Sequence, residues 1–200
     1  MNYLPKSLAV GFVLATFAAS SVFAAGTHPV TGEALADDQT FTYSLLDEFT
    51  TADPQMVEDV SGSYFVRDLF EGLMNQDGDG NLIPGVATGY TTNDAKDVYT
   101  FTLRDNARWS DGNPVTAHDF VYAWRRLADP ATASPYSWFA DIMALENVGA
   151  VMSGESPPEA LGIRALDNHT LEVRLTASLP YFAAMTTHAS TFPSPQWTVR

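Results

Sequence analysis

No cysteine occurs among the 200 residues. The chain therefore folds without disulfides, and it has no thiolate nucleophile and no Cys-ligated zinc or iron–sulfur site. Packing alone must hold it. The composition allows that, with 46% hydrophobic and 12% aromatic residues in a length that suits one domain, or one large and one very small. Acids outnumber bases by 24 to 10, for a net charge of −14. With no clustered Lys/Arg run, the chain is a poor partner for nucleic acid or for an anionic membrane surface.

Residues 1–24 read as a secretory signal. Lys6 supplies the positive start, Ser7 to Phe23 carries no charge, and Val22-Phe23-Ala24 forms the cleavage site, with cutting after Ala24. The apolar run is near the lower length for spanning a bilayer and is rich in Ala and Ser, which favours a cleaved leader over an anchor. No cysteine follows it, so a lipid anchor is excluded. The expected destination is the periplasm.

The mature chain mixes strands and helices. Ala25 to Asp38 is a loose arm. Thr40 to Leu45 alternates Phe41, Tyr43 and Leu45 with polar residues, the period of a half-buried strand. Asp47 to Asp59 is a loop. Over Ser63 to Met74, the side chains Phe65, Val66, Leu69, Phe70 and Leu73 share one helical face, with Ser61 or Ser63 as N-cap. Asp77 to Asn81 is a tight turn, and Val98 to Leu103 is a second alternating strand. Trp109 to Gly112 is a turn. Thr116 to Asp119 resembles a capping box that opens a helix with Phe120, Val121, Trp124, Leu127 and Ala128 on one face, ended by Asp129-Pro130. Pro135 to Val151 is helical in part, and Ser153 to Pro158 is a loop. Ile163 to Leu166 and Thr170 to Leu175 form a hairpin around Asp167-Asn168, and Leu179 to Met185 is a short helix. Elements in this order lack βαβ alternation, which predicts an α+β fold with a mixed sheet.

Few residues carry a chemical signal. Asn75 to Gly80 mimics the start of a calcium loop, but Val86 stands where a bidentate Glu is required, so a Gly/Asp turn is the better account. His28, His118, His169 and His188 lack metal-ligand spacing, and His118 and His169 are expected to face solvent. Ser61-Gly62-Ser63 is not a nucleophile elbow. Asn168-His169-Thr170 is formally a glycosylation sequon and carries no weight in a bacterial export product. No metal, cofactor or reaction motif emerges, and the chain is not expected to be an enzyme. What remains is aromatic: Trp109, Trp124, Tyr136, Trp138 and Phe139, with flanking acids, suit a non-covalent organic ligand. Trp109 and Trp124 are better explained as core. Tyr136 follows Ser134-Pro135 at a helix start, where a side chain can be presented to a cleft.

Blocks along the chain agree with one family. They include Arg67 to Gly72, Asp79-Gly80, Pro84 to Ala87, Tyr99 to Arg104, Trp109 to Gly112, Pro114 to Ala117, Asp119 to Tyr122 with Trp124, Asp129-Pro130, Thr132 to Tyr136, and Asp167 with His169 to Val173. In this order and spacing, from about Phe41 to about Pro195, the chain resembles the periplasmic oligopeptide-binding proteins of ABC importers, within solute-binding protein family 5. Two departures stand out: one residue is inserted around Asp97, and the pattern fades after Pro193.

The resemblance implies a type II flytrap fold, two lobes and an extra domain closing on a peptide, in a chain much longer than this one. It implies that residues 25–70 are the first segment of the main lobe, that 71–195 are an extra α+β domain, and that 196–200 begin the return to the main lobe, with the second lobe absent from these residues. It implies peptide-backbone contacts from Glu58, from the main chain of Val60, and from Tyr136. The implied partners are an oligopeptide and the inner-membrane permease subunits of an ABC transporter, with the protein acting as a monomer and without a cofactor. Within the family, a dipeptide, murein-peptide or nickel-chelate receptor is the alternative. A secreted hydrolase using paired carboxylates is the alternative from another class.

Overall fold

The computed structural model describes Gly26 and residues 33–199. The leader expected over residues 1–24 lies outside the described residues. The chain divides into two compact units, one ending at Ser44 and the other beginning at Leu45. In the first, the Leu35 amide donates to the Gly26 carbonyl at 2.9 Å. Phe41 and Tyr43 stack on each other at 6.0 Å, both largely in water. The strand expected over Thr40–Leu45 does not form. Its alternation is real, but among the described residues it has no ladder partner, and a strand is stable only when its amides and carbonyls are paired.

The second unit opens with loop 45–59 and helix α1, Val60–Leu69. The helix starts earlier than the apolar spacing predicts, because Asp59 is the cap. Its carboxylate accepts from the Gly62 amide at 2.6 Å and from Thr50 Oγ1 at 2.8 Å. These bonds, the Gly62 amide first, hold the Asp59 carboxyl below its usual range. Ser61 instead accepts from the Asp47 amide, and the Ser63 hydroxyl bonds the Asp59 carbonyl. The helix also ends earlier than expected, at Leu69. At Gly72 a Cβ would lie 2.6 Å from the Thr186 carbonyl oxygen and 2.7 Å from the Phe192 ring. That close crossing turns the chain out of the helix, so Leu73 is buried from a strand entrance and not from a helix face.

Strands β1 (Met74–Gln76) and β2 (Leu82–Pro84) pair as an antiparallel hairpin. Its turn is organised by Asp77, whose carboxylate accepts from the amides of Asp79 and Asn81 and from the Asn81 side chain. The calcium-loop mimic is thus a turn whose first acid is engaged by its own backbone.

A four-stranded sheet follows: β3 (Ala87–Thr92), β4 (Val98–Leu103), β5 (Ile163–Ala165) and β6 (Thr170–Arg174), in the order β3-β4-β6-β5. Where the sequence allowed for a mixed sheet, the pairing is antiparallel throughout the described strands. Register places Tyr99 opposite Val173 and Phe101 opposite Leu171, so the alternating apolar face of β4 meets that of β6. On the outer face, Glu172 bonds Arg164 and Arg174 at 2.9 and 2.8 Å. Burial pushes its carboxyl up, but the two guanidinium groups override this and leave it below the usual range.

Helix α2 (Ala117–Ala128) covers the sheet. Asp119 reaches back to the Thr116 amide at 2.7 Å, so the expected box forms with Asp in place of Glu. Phe120, Trp124 and Leu127 are fully buried beneath it. The short helices α3 (Ser137–Ile142), α4 (Val148–Met152) and α5 (Phe182–Met185) close the edges. Apolar packing forms two separate clusters. The larger runs from Leu73 to Ala183 and includes Tyr99, Phe101, Trp124 and Phe182. The smaller joins Val57, Val66, Ala189 and Phe192, with Phe70 against it.

Candidate functional site

Tyr136 caps α3 from the residue before it, as the Ser-Pro-Tyr spacing predicts. Its amide donates to Ser134 Oγ at 3.2 Å, and the Ser134 hydroxyl donates in turn to the carbonyl of Gln55. Gln55 is fully buried and lies three residues before Glu58. The turn that carries Tyr136 is thereby tied to the loop that carries Glu58 and leads into Val60. Glu58 is exposed, and Val60 is exposed at the first position of α1. There the main-chain amides of the first turn have no intrahelical acceptor, and Asp59 serves that of Gly62.

No sequence pattern foretells how this region is fastened. Gln55 Nε2 donates to the carbonyls of Ser190 and Phe192 at 3.2 and 3.0 Å. Its Oε1 accepts from Arg126 Nη1 at 3.0 Å and from Ser194 Oγ at 2.6 Å. Arg126 also forks onto both oxygens of Asp53, at 3.0 and 2.6 Å. One buried amide therefore joins loop 53–57, helix α2 and segment 190–194.

Tyr136 stands in a cluster of rings. His188 lies 4.9 Å from it and stacks on Phe139 at 4.4 Å. His188 Nδ1 accepts from the Ser190 amide and lies 2.8 Å from Ser190 Oγ. Burial, and secondarily the charge of Arg67, lowers the His188 pKa below its ordinary value, which favours the neutral ring. The sequence showed His188 as one scattered histidine; nothing local connects it to Tyr136.

The other aromatic candidates fall where expected. Trp124 is fully buried, with its indole N–H donating to the Thr191 carbonyl at 2.8 Å. Trp109 is half-buried, edge-on to Phe70 at 6.2 Å. It lines a cavity of about 520 Å³ together with Arg104, Glu71, Pro193 and Pro195. Glu58, Val60 and Tyr136 do not line that cavity. Two of the charges on its lining are already paired, Arg104 with Glu71 at 2.7 Å, which makes it a weaker candidate. His118 is exposed, as expected, while His169 is half-buried. Among the described residues, no helix is long and apolar enough to cross a membrane.

Residues 81–199 match the family of bacterial extracellular solute-binding proteins, family 5, in its middle region. The chain belongs to that family. Its relatives include the periplasmic oligopeptide-binding protein OppA of Salmonella typhimurium, 45% identical over 195 residues, which are 98% of this chain and 36% of the relative. The periplasmic murein peptide-binding protein MppA of Escherichia coli is 45% identical over 162 residues, 81% of this chain and 30% of the relative. In structure, the chain is similar to Haemophilus influenzae OppA in complex with RPPGFSPFR, with a TM-score of 0.72 at 43% identity, covering 74% of this chain and 29% of the other. The α+β architecture is thus that of the family 5 binding proteins. This chain spans about a third of the length of the relatives it matches.

Proposed function

We propose that these residues form one side of a peptide-binding cleft in an exported receptor that delivers oligopeptides to the permease subunits of an ABC importer. The observation that carries this reading is the Gln55–Ser134–Tyr136 link. It fastens the Glu58–Val60 loop and the Tyr136 turn, which lie far apart in sequence, to one buried side chain. A receptor for many peptides should hydrogen-bond the main chain that all peptides share. An exposed carboxylate, first-turn amides and a phenol supply those groups. The chain works in the periplasm as a monomer, without a cofactor. In this reading, the boundaries expected at residues 70 and 195 move, and residues 45–72 and 186–199 belong to the main lobe. Residues 73–185 are the extra domain, a division supported by the two apolar clusters.

A flytrap gains affinity by enclosing its ligand, so binding by this side alone is weak, of about millimolar strength. Nuclear magnetic resonance titration of the chain from Ala25 with trialanine and other short peptides tests the reading, with a melting curve alongside. The expected result is saturable shifts confined to residues 55–60 and 134–139, lost in the Glu58→Ala/Tyr136→Ala variant at an unchanged melting temperature. Saturable shifts elsewhere, or none from a folded sample, overturn it. Peptides recovered intact by mass spectrometry distinguish a receptor from a hydrolase.

A further inference from the structure

Trp138 is left unused by the backbone contacts just described, and its setting is not that of a stray surface residue. Its ring lies 5.5 Å from Tyr136, tilted by 34°, and edge-on to Phe139 at 5.9 Å and 82°. With His188 touching both Tyr136 and Phe139, the four rings form a closed circuit of contacts. Phe139 is buried and His188 half-buried, so they are the backing. Trp138 is the outer member, 51% exposed. Ile142 lies one helical turn further on and is 50% exposed, on the same face by i, i+4 spacing. Single exposed apolar residues are ordinary on protein surfaces. A tryptophan held by two ring contacts, continuous with Tyr136 on one side and with a second exposed apolar side chain on the other, is a shaped platform. Its rotamer is already restricted by Phe139 and Tyr136, so a ligand that stacks there pays little to order it.

We propose that Trp138, backed by Phe139 and extended by Ile142, is a specificity-determining residue that selects an aromatic or large aliphatic side chain of the bound peptide, next to the unit whose backbone Tyr136 holds. This rests on Tyr136 facing the peptide. The nearest competitor for a tryptophan face is a Lys or Arg side chain, through cation–π attraction. Arg67, which donates to the Thr187 carbonyl at 3.2 Å next to His188, already places one cation beside this cluster, and tripeptides carrying Lys decide between the two.

The test compares trialanine with tripeptides that carry one Phe, or one Lys, at the first, middle or last position among alanines. Affinities are read by resonance titration for the wild-type chain, Trp138→Ala and Trp138→Phe. One Phe position should bind about threefold to tenfold more tightly than trialanine. Trp138→Ala should erase that preference, so that the Phe tripeptide binds no more tightly than trialanine to the same variant, and Trp138→Phe should keep most of it. Equal Phe preference in wild type and Trp138→Ala, or a preference for Lys over Phe, overturns the proposal while the peptide-receptor reading stands. Failure of wild type to bind trialanine or any of the tripeptides overturns both.

Discussion

The two apolar clusters of the second unit are held by different means. The larger one, between Leu73 and Ala183, is an ordinary core: β4 and β6 present matched apolar faces, and α2 lays Phe120, Trp124 and Leu127 on them. The smaller one has four buried apolar side chains, Val57, Val66, Ala189 and Phe192. At roughly 1.5–3 kcal/mol for each Val or Phe and less for Ala, that burial is modest against the backbone entropy of ordering the loops around it. Hydrogen bonds supply the remainder, through Gln55 and the Arg126–Asp53 fork. Of the candidate ligand residues, Glu58 and Val60 sit on the second kind of structure, whereas Tyr136 packs against the larger cluster and is tied to the Gln55 loop through Ser134. A packed core resists change everywhere at once, whereas a polar knot can be undone at one residue without dissolving the rest.

The largest effect should come from the larger cluster. Trp124→Ala removes a fully buried ring that meets Phe182 edge-on, and it also removes the bond to Thr191. A loss of about 4 kcal/mol is expected, read as a global drop in melting temperature and in denaturant midpoint. Gln55→Ala comes next, at about 2–3 kcal/mol, because it strands two buried carbonyls and part of the Arg126 guanidinium. Its signature should be local: hydrogen exchange speeds up at 55–57 and 188–194 while β4 and β6 stay protected. If Gln55→Ala loosens β4 as much as Trp124→Ala does, the two regions are one cooperative body and the contrast fails.

The same contrast explains what could be read from the sequence. Period-two faces and turn chemistry are local, so β4, the β5–β6 hairpin, the Asp77 turn and the capped α2 were all legible. The helix at 60–69 was legible as a helix but not in its limits. Its N-cap is an Asp three residues before a glycine, and its end is dictated by the crossing of Gly72 with Thr186 and Phe192. Alternation over 40–45 misled, because period alone cannot supply a pairing partner. The position of Tyr136 at a helix start was legible through the Ser-Pro before it. Gln55 was not, since its bonds to Ser190 and Phe192 reach 135 and 137 residues along the chain, and a lone glutamine in a loop has no pattern. Trp138 and Phe139 were legible as aromatic candidates but not as parts of one ring circuit, and His188 became visible only as a neighbour of Tyr136.

The smallest effect is also the most specific to the site. His188 has a lowered pKa in the folded protein because of its burial and, secondarily, the charge of Arg67, while in the unfolded chain it returns to about 6.5. As pH falls through 6.5, the unfolded state takes up its proton first. Stability therefore declines with falling pH in the window below 6.5 and levels off once the folded state also protonates. Glu172 and Asp59 do not contribute there, since a lowered carboxyl is lost only beneath its ordinary range, near 4. His188→Asn keeps an oxygen to accept from the Ser190 amide, and Asn is a good cap. It removes the titration together with the stacking on Phe139. The variant should be slightly less stable at neutral pH, by about 1 kcal/mol, but its melting temperature should change less than that of wild type between about pH 7.5 and 5.5. Parallel melting curves for the two proteins across that window would show that proton uptake at His188 is not linked to folding. The ring would then contribute through its stacking on Phe139 and its bonds to Ser190, and not through its protonation state.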